Sequence, residues 1–295
     1  MSETAKQHTR ELRALGRKLL VEGDVDVMIG YRDGIWEDTT RPYFATSPEA
    51  TRNLVWNHHC ANNLTVYLGR PQIRQLGRPA IVVKGCDALA LDVLVREQQI
   101  TRDDVVVVGV VCDGVIDSSH GSDGTRLLSK CDSCTVSTPP RVDHLVGDPG
   151  PARTPLPPDR SALERIEALT TEARWQYWQS ELERCLKCYA CRAVCPLCYC
   201  DRCFVEQTRP AWTSSSQTAR ANFVFHLFRA FHLAGRCVSC GECARVCPVE
   251  IPLDVLNRKM AEEVAELFGF VAGEDPDAAA PLVTFTRDDP QEFIR

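Results

Sequence analysis

Two copies of one cysteine pattern constrain this chain more than any other feature. Both copies have the spacing Cys-x2-Cys-x2-Cys-x3-Cys-Pro, and their cysteines are Cys185, Cys188, Cys191 and Cys195 in the first copy and Cys237, Cys240, Cys243 and Cys247 in the second. Bacterial ferredoxins hold [4Fe–4S] clusters with cysteines at this spacing. The doubled pattern therefore predicts two [4Fe–4S] clusters.

The two copies are expected to share their ligands. In two-cluster ferredoxins the fourth cysteine of each run ligates the other cluster. This predicts one cluster on Cys185, Cys188, Cys191 and Cys247, and a second on Cys237, Cys240, Cys243 and Cys195. Structural zinc sites instead pair two Cys-x2-Cys halves across a longer loop. Disulfides need an oxidising compartment, which nothing in the sequence indicates.

Composition describes a soluble globular protein of about two domains. The chain has 295 residues, of which 44% are hydrophobic and 25% charged, with a formal net charge of −6. No secretory signal and no apolar run of membrane-spanning length is visible, so we expect a cytoplasmic protein without membrane insertion. No basic stripe with interleaved aromatic residues indicates nucleic-acid binding. Sixteen cysteines in such a chain argue for metal binding.

The first half of the chain alternates strand and helix patterns. Apolar runs at 25–31, 79–85 and 104–112 predict buried strands, and the segments 47–69 and 86–100 are predicted as helices. Continuous Val and Ile runs between helices favour a parallel sheet. The fold class predicted is α/β, with an N-terminal parallel-sheet α/β domain followed by an α-helical ferredoxin-like domain that carries two [4Fe–4S] motifs.

Helices are predicted around the two motifs, at 161–184, 218–234 and 251–270. The first of them is expected to begin with a capping box formed by Ser161 and Glu164. The predicted division is an α/β redox domain over 1–146, a Pro/Gly-rich linker over 147–160, a helical double-cluster domain over 161–270 and an acidic tail over 271–295.

Five further cysteines belong to the α/β part. Cys86 and Cys112 each follow a predicted parallel strand, Cys131 and Cys134 lie in the next loop, and Cys60 lies one helix earlier. In an open α/β sheet, ligands bind beyond the carboxyl ends of the strands. Cys86 also begins a helix, whose dipole is expected to favour the thiolate.

Three more cysteines, Cys198, Cys200 and Cys203, follow the first motif. The eight extra thiols are enough for one or two additional [4Fe–4S] clusters. One division places Cys86, Cys112, Cys131 and Cys134 on a third cluster, and Cys60, Cys198, Cys200 and Cys203 on a fourth. The alternative is that some of them are small buried hydrophobic residues. Lys84, at a strand end, is a further candidate for contact with a cofactor phosphate or a negatively charged flavin.

The segment IVVKGCDALALDVLVREQQI, the CDSC at 131–134 and the doubled motif give the chain a family resemblance. Together they resemble the coenzyme F420-reducing hydrogenase and formate dehydrogenase beta-subunit family over most of residues 25–260. The resemblance implies an α/β domain that binds FAD, joined to [4Fe–4S] centres. It also implies electron transfer between a two-electron carrier and a partner oxidoreductase.

The function predicted is an iron–sulfur electron-transfer subunit of a multisubunit oxidoreductase of hydrogenase, formate dehydrogenase or heterodisulfide reductase type. Its partners would be the other redox subunits, and the N-terminal crevice would hold a flavin or another cluster. The alternative is a non-catalytic iron–sulfur connector without flavin. A third hypothesis is sulfur or disulfide chemistry at an open cluster near Cys86 and Cys112.

Overall fold

The computed structural model describes residues 2–117, 126–149 and 160–285. Most of the predicted linker (147–160) and the end of the predicted acidic tail, residues 286–295, lie outside the described residues. No helix in the described part of the chain is long and apolar enough to cross a membrane.

The N-terminal part of the chain forms one sheet. Its five strands are β1 (Val27–Asp33), β2 (Thr40–Ala45), β3 (Pro79–Val83), β4 (Val106–Val110) and β5 (His144–Val146). Their order is β2-β1-β3-β4-β5, in which β2 runs antiparallel to β1 and all other neighbours are parallel. All five positions of β4 are buried, as expected for a strand inside a parallel sheet. The predicted fold class is confirmed.

Two of the strands were not predicted from the sequence. Strand β2 lies at the edge, contains Pro42 and is only partly buried, and an edge is where a sheet tolerates proline. Strand β5 has three residues, too few for a periodic pattern. Both lack the continuous apolar run that predicts the three central strands.

Helices surround the sheet and form the C-terminal part. They are α1 (Glu3–Glu22), α2 (Pro71–Arg74), α3 (Gly85–Arg96), α4 (Ser129–Asp132), α5 (Ser161–Glu167), α6 (Thr171–Glu183), α7 (Ala190–Ala193), α8 (Ala219–His232), α9 (Glu242–Arg245) and α10 (Leu253–Phe268). The predicted helices at 86–100, 218–234 and 251–270 correspond to α3, α8 and α10, and left-handed Gly269 ends α10.

The prediction of a helix over 47–69 is wrong. The segment contains two short 3-10 turns, Glu49–Asn53 and Leu64–Tyr67, separated by irregular chain. Asparagine side chains stabilise this irregular path, because Asn57 accepts from the His59 N–H and Asn63 accepts from the Thr65 N–H. Local side-chain bonds of this kind compete with helical hydrogen bonds.

The helix predicted over 161–184 is two helices, α5 and α6. The break lies before Thr170, whose side chain accepts from the Ala173 N–H and so begins α6. The capping box predicted at Ser161 is wrong, because Arg160 occupies the N-cap position and makes no side-chain cap bond there. A single threonine thus interrupts what the apolar spacing alone predicts as one helix.

Helix α3 joins the sheet to the C-terminal helices. Ala88 and Leu91 pack in the core of the sheet, whereas Val93 and Leu94 pack in a second core with Leu233 and residues of α10. At the end of α3, the Glu97 carboxylate accepts from the Tyr199 hydroxyl and pairs with Arg236. The division at 146 and 161 stays a prediction, but the two parts share an apolar core.

Lys84 and Asp87 form a buried ion pair between β3 and α3. The Nζ–Oδ2 distance is 2.8 Å, and the two side chains are 2% and 1% exposed. The Lys84 ammonium also donates to the Tyr31 hydroxyl and the Asn62 carbonyl. Burial by itself lowers the pKa of Lys84, but Asp87 and Tyr31 raise it well above its usual value. Lys84 is therefore engaged inside the protein, although it also lines the cavity described below, and its contact with a cofactor phosphate or a flavin stays a prediction.

Replacing Asp87 with asparagine should destabilise the fold strongly. The substitution leaves a buried ammonium without its counter-charge, which costs about 3–5 kcal/mol. The free energy of unfolding from denaturant titration checks this value. The matched control is Glu3→Gln, which breaks the exposed Lys6–Glu3 pair and should cost less than about 1 kcal/mol. Equal effects of the two variants would contradict a buried pair at Asp87.

Candidate functional site

The two motif loops have the same backbone conformation. Two residues after the first cysteine stand Lys187 and Ser239, and four residues after it stand Tyr189 and Gly241; all four have positive φ, between 50° and 69°. In the first loop, the Lys187 N–H donates to the Cys185 sulfur at 3.4 Å. Loops that turn successive N–H groups inward form anion-binding hollows, and many iron–sulfur sites use them. Both loops therefore fit a cluster.

The fourth cysteine of each motif lies near cysteines of the other motif, Cys247 near Cys185 and Cys195 near Cys237, Cys240 and Cys243. Burial raises the pKa of Cys185, and the nearby Cys188 and Cys247 thiolates raise it further. Cys195 has the same effect on Cys237 and Cys243 of the second motif. These neighbours are compatible with the crossed ligand assignment. That assignment remains a prediction.

Burial keeps two of the motif thiols, Cys191 and Cys237, protonated when no metal is bound. It raises the pKa of Cys191 and of Cys237 to about 12. Metal ligation requires the thiolate, so binding is coupled to proton release. Within the described ranges, no three His, Cys, Asp or Glu side chains converge closely enough to hold a single metal ion. A zinc ion needs thiolates at about 2.3 Å, so a mononuclear site fits these loops poorly.

One face of α8 carries polar side chains that contact the cysteine motifs. Asn222 donates from its amide to the Leu182 and Cys185 carbonyls at the end of α6. One turn later, His226 Nε2 lies 3.2 Å from the Cys185 sulfur. Burial lowers the pKa of His226 to about 4, so the ring is neutral at physiological pH. The contact between His226 and a candidate ligand was not predicted from the sequence.

The last polar residue on this face is Arg229, which the sequence interpretation did not single out. The signal was present, because residues 222, 226 and 229 follow the i, i+4, i+7 spacing of one helix face. All three residues are buried. Three polar residues on a buried helix face indicate partners inside the protein.

The strand-end cysteines face the second motif across one cavity of about 830 Å³. Its walls carry four cysteines of the α/β part and four of the motif region, namely Cys86, Cys112, Cys131, Cys134, Cys195, Cys237, Cys240 and Cys243. The cavity lies beyond the carboxyl ends of β3 and β4, where α/β folds bind ligands. The structure thus brings Cys86, Cys112, Cys131 and Cys134 to one edge of the sheet, as the sequence predicts.

Lys130 connects the two walls of this cavity. Its ammonium donates to the Cys240 carbonyl at 2.7 Å and lies 3.8 Å from the buried Glu242 carboxylate. Lys130 immediately precedes Cys131, so this contact fixes the loop of the α/β part against the second motif. Sequence reasoning missed it, because the contact joins residues 110 positions apart.

Cys86 does not have the thiolate-favouring surroundings expected of it. Burial raises the pKa of this thiol well above its usual value, and the adjacent Asp87 carboxylate raises it further. The position at the start of α3 is as predicted, but desolvation outweighs the helix dipole. In the metal-free protein Cys86 is therefore a neutral thiol.

The remaining cysteines do not form a fourth group. Cys60 packs in the core of the sheet beside Cys112 and Lys84, whereas Cys198 packs in the core shared with the C-terminal helices. Cys200 is exposed and Cys203 partly exposed. The described residues thus give no support to a cluster that would join Cys60 to the three cysteines after the first motif.

Gly85 allows the CDSC loop to close over the start of α3. A Cβ atom at this position would lie 1.6 Å from the Val136 carbonyl oxygen. Gly85→Ala should therefore push the loop away from Cys86 and cost about 1–3 kcal/mol or more. Gly69→Ala, where a Cβ meets nothing within 4 Å, should stay within about 0.5 kcal/mol of the parent. Thermal unfolding of both variants tests this contact, and an unaffected Gly85→Ala would contradict it.

Comparison with known proteins supports the iron–sulfur interpretation. Residues 181–251 match the 4Fe-4S dicluster domain family. The chain is similar to the F420-dependent formate dehydrogenase subunit beta of Methanocaldococcus jannaschii, with 22% identity over 93% of this chain and 94% of the relative. It is likewise 22% identical to the F420-dependent formate dehydrogenase 1 subunit beta of Methanococcus maripaludis, over 91% of this chain and 92% of the relative.

Among solved structures, a chain of the F420-reducing [NiFe] hydrogenase complex from Methanosarcina barkeri matches with a TM-score of 0.31 and 17% identity. This match covers 39% of the present chain and 42% of the other. The full-length relatives confirm the predicted resemblance to these beta subunits. Together with the dicluster domain they also confirm the general prediction, an iron–sulfur electron-transfer subunit of an oxidoreductase with 4Fe-4S clusters.

Proposed function

We propose that the chain passes electrons between a two-electron carrier bound in the crevice and partner redox subunits. The observation that carries this proposal is the shared cavity, whose walls hold both the strand-end cysteines and the second motif. Cys86 and Cys112 of the α/β part and Cys237 and Cys240 of the second motif line this same cavity. A carrier in the crevice would therefore lie directly beside the second cluster.

The proposed metal inventory is three [4Fe–4S] clusters. The eight motif cysteines hold two in the crossed arrangement, and Cys86, Cys112, Cys131 and Cys134 hold the third on the crevice wall. When bound, such clusters supply one-electron transfer between neighbouring centres. The chain's own residues position these clusters. Lys130 holds the loop that contains Cys131 against the second motif, and Asn222 holds the backbone at Cys185, where the first motif begins.

The residues around the first motif suggest where a partner subunit docks. Cys188 is exposed, and the neighbouring Leu186 is 49% exposed. The ligand groups therefore follow one another from the crevice to the second motif, to the first motif and to the surface at Cys188. This order of sites suits a subunit that connects an internal carrier site to another protein.

A flavin in the same cavity is part of the proposal. The relatives are F420-dependent by name, and a carrier that exchanges electron pairs needs a group that couples pairs to single electrons. Cofactor pockets usually measure about 300–1,000 Å³, and the cavity of about 830 Å³ would hold the flavin beside the crevice cluster.

The test uses the full chain purified without oxygen. We expect it to release one flavin on denaturation and to be bleached by the reduced F420 coenzyme. Reduction by dithionite serves as the positive control for intact clusters. A protein whose clusters respond to dithionite, but which contains no flavin and does not react with the carrier, would contradict the proposal. It would instead support the non-catalytic connector.

A further inference from the structure

Arg229 is a buried cation with an incomplete set of partners. The residue is 5% exposed, and its guanidinium Nη2 donates to the Cys191 carbonyl at 3.2 Å. The Nε–H of the same group has no hydrogen-bond partner among the described residues. A buried charge is costly unless an opposite charge lies beside it. The position of Arg229 therefore indicates a negatively charged group in its surroundings.

The ionisable groups around Arg229 are thiols of both motifs and of Cys198. Burial by itself lowers the pKa of Arg229, but it is raised above its usual value by four cysteines, Cys195, Cys198, Cys243 and Cys191. Of these, Cys191 belongs to the first proposed ligand group, and Cys195 and Cys243 belong to the second. Arg229 also lines the cavity with Cys237 and Cys240. The guanidinium thus lies where the two ligand groups meet.

Other arginines near the motifs are neutralised by carboxylates. Arg192 pairs with Glu206, Arg245 pairs with Glu242, and Arg236 pairs with Glu97. No carboxylate of the described residues is within ion-pair distance of Arg229, whose electrostatic neighbours are the four thiols. One of them is Cys198, outside the motifs, whose pKa is lowered by its hydrogen bond with Cys195 and further by Arg229. The charge of Arg229 therefore faces sulfur atoms of both motifs and of Cys198, and no carboxylate.

We propose that Arg229 is the shared counter-charge of the two motif clusters and raises the reduction potential of both. An oxidised cluster with four thiolates carries a charge of about −2, and accepting one electron makes it about −3. A fixed cation stabilises the more negative state more, and it does so strongly in a low-dielectric interior. Arg229 acts on the clusters through its charge and does not ligate iron. The inference rests on the two motif clusters of the proposed function.

The test is an anaerobic redox titration of the full chain, followed by EPR, in the parent and three variants. In Arg229→Met the reduction constant of each motif cluster should fall by at least about tenfold, which is 59 mV for a one-electron step. Arg229→Lys retains the charge and should stay close to the parent. Arg220→Met removes an exposed arginine of the same helix, so it controls for net charge and should change neither potential.

Every outcome decides the matter. A shift of one cluster only, or of neither, overturns the shared counter-charge, and so does an Arg229→Lys variant that shifts as far as Arg229→Met. If Arg229→Met fails to bind iron, an iron-replete Arg229→Lys with parental potentials supports the proposal. Loss of iron in both variants overturns it in favour of a structural bond to Cys191. If the parent chain itself contains fewer than about eight irons, the proposed function is contradicted, and the role of Arg229 is not what failed.

Discussion

Cys247→Ala is expected to eliminate the same cluster as Cys188→Ala, although the two residues belong to different motifs. The reason is the crossed assignment, in which Cys247 completes the group of Cys185, Cys188 and Cys191. This expectation is based on the position of Cys247 close to Cys185 in the structure. Each variant should lose about four irons per chain and the EPR signal of one of the two motif clusters.

The signal that disappears distinguishes the two arrangements. Cys240→Ala, within the second motif, should remove the other signal. Cys200→Ala is the matched control, because this cysteine is exposed and outside the proposed ligand groups, and it should keep all the iron. If Cys247→Ala instead lost the signal that Cys240→Ala loses, each motif would hold its cluster alone and the crossed assignment would be refuted.

Cys112→Ala is expected to uncouple the crevice from the motif clusters. Removing one of four proposed ligands should lower the iron content by about four atoms per chain. Reduction of the motif clusters by the reduced F420 coenzyme should be abolished, whereas their reduction by dithionite should be unchanged. The cysteine lies on the cavity wall opposite the second motif, so its loss leaves the motif loops themselves untouched.

Iron analysis and stopped-flow reduction of the same preparation measure both effects. A Cys112→Ala variant that keeps its iron, and whose motif clusters the carrier still reduces at the parental rate, would show that the crevice thiols are only small buried residues. Cys86→Ala should behave like Cys112→Ala, because both thiols belong to one proposed ligand set.

The features predicted correctly from the sequence depend on short-range spacing. Continuous Val runs identify β3 and β4 because a buried parallel strand needs apolar residues on both faces. The position of Cys86 and Cys112 at a common sheet edge follows from the parallel order of these strands. Cysteine spacing likewise predicts the iron–sulfur domain, which the 4Fe-4S dicluster family matches over residues 181–251.

The features that were missed depend on contacts between distant segments. Lys130 reaches Cys240 only after the sheet and the second motif have come together. The dipole argument at Cys86 failed because burial in the finished structure decides that pKa. In the same way, the 47–69 segment has helical spacing, but Asn57 and Asn63 use their side chains to stabilise an irregular path. Spacing alone contains no information on such competing bonds.

Iron and acid-labile sulfide per chain, measured on anaerobically purified protein together with EPR spin quantification of the reduced state, show whether the crevice cysteines hold a cluster in addition to the two motif clusters. Three clusters predict about twelve irons and about twelve sulfides. A reproducible value of about eight would leave only the two motif clusters, and would contradict the account of the crevice.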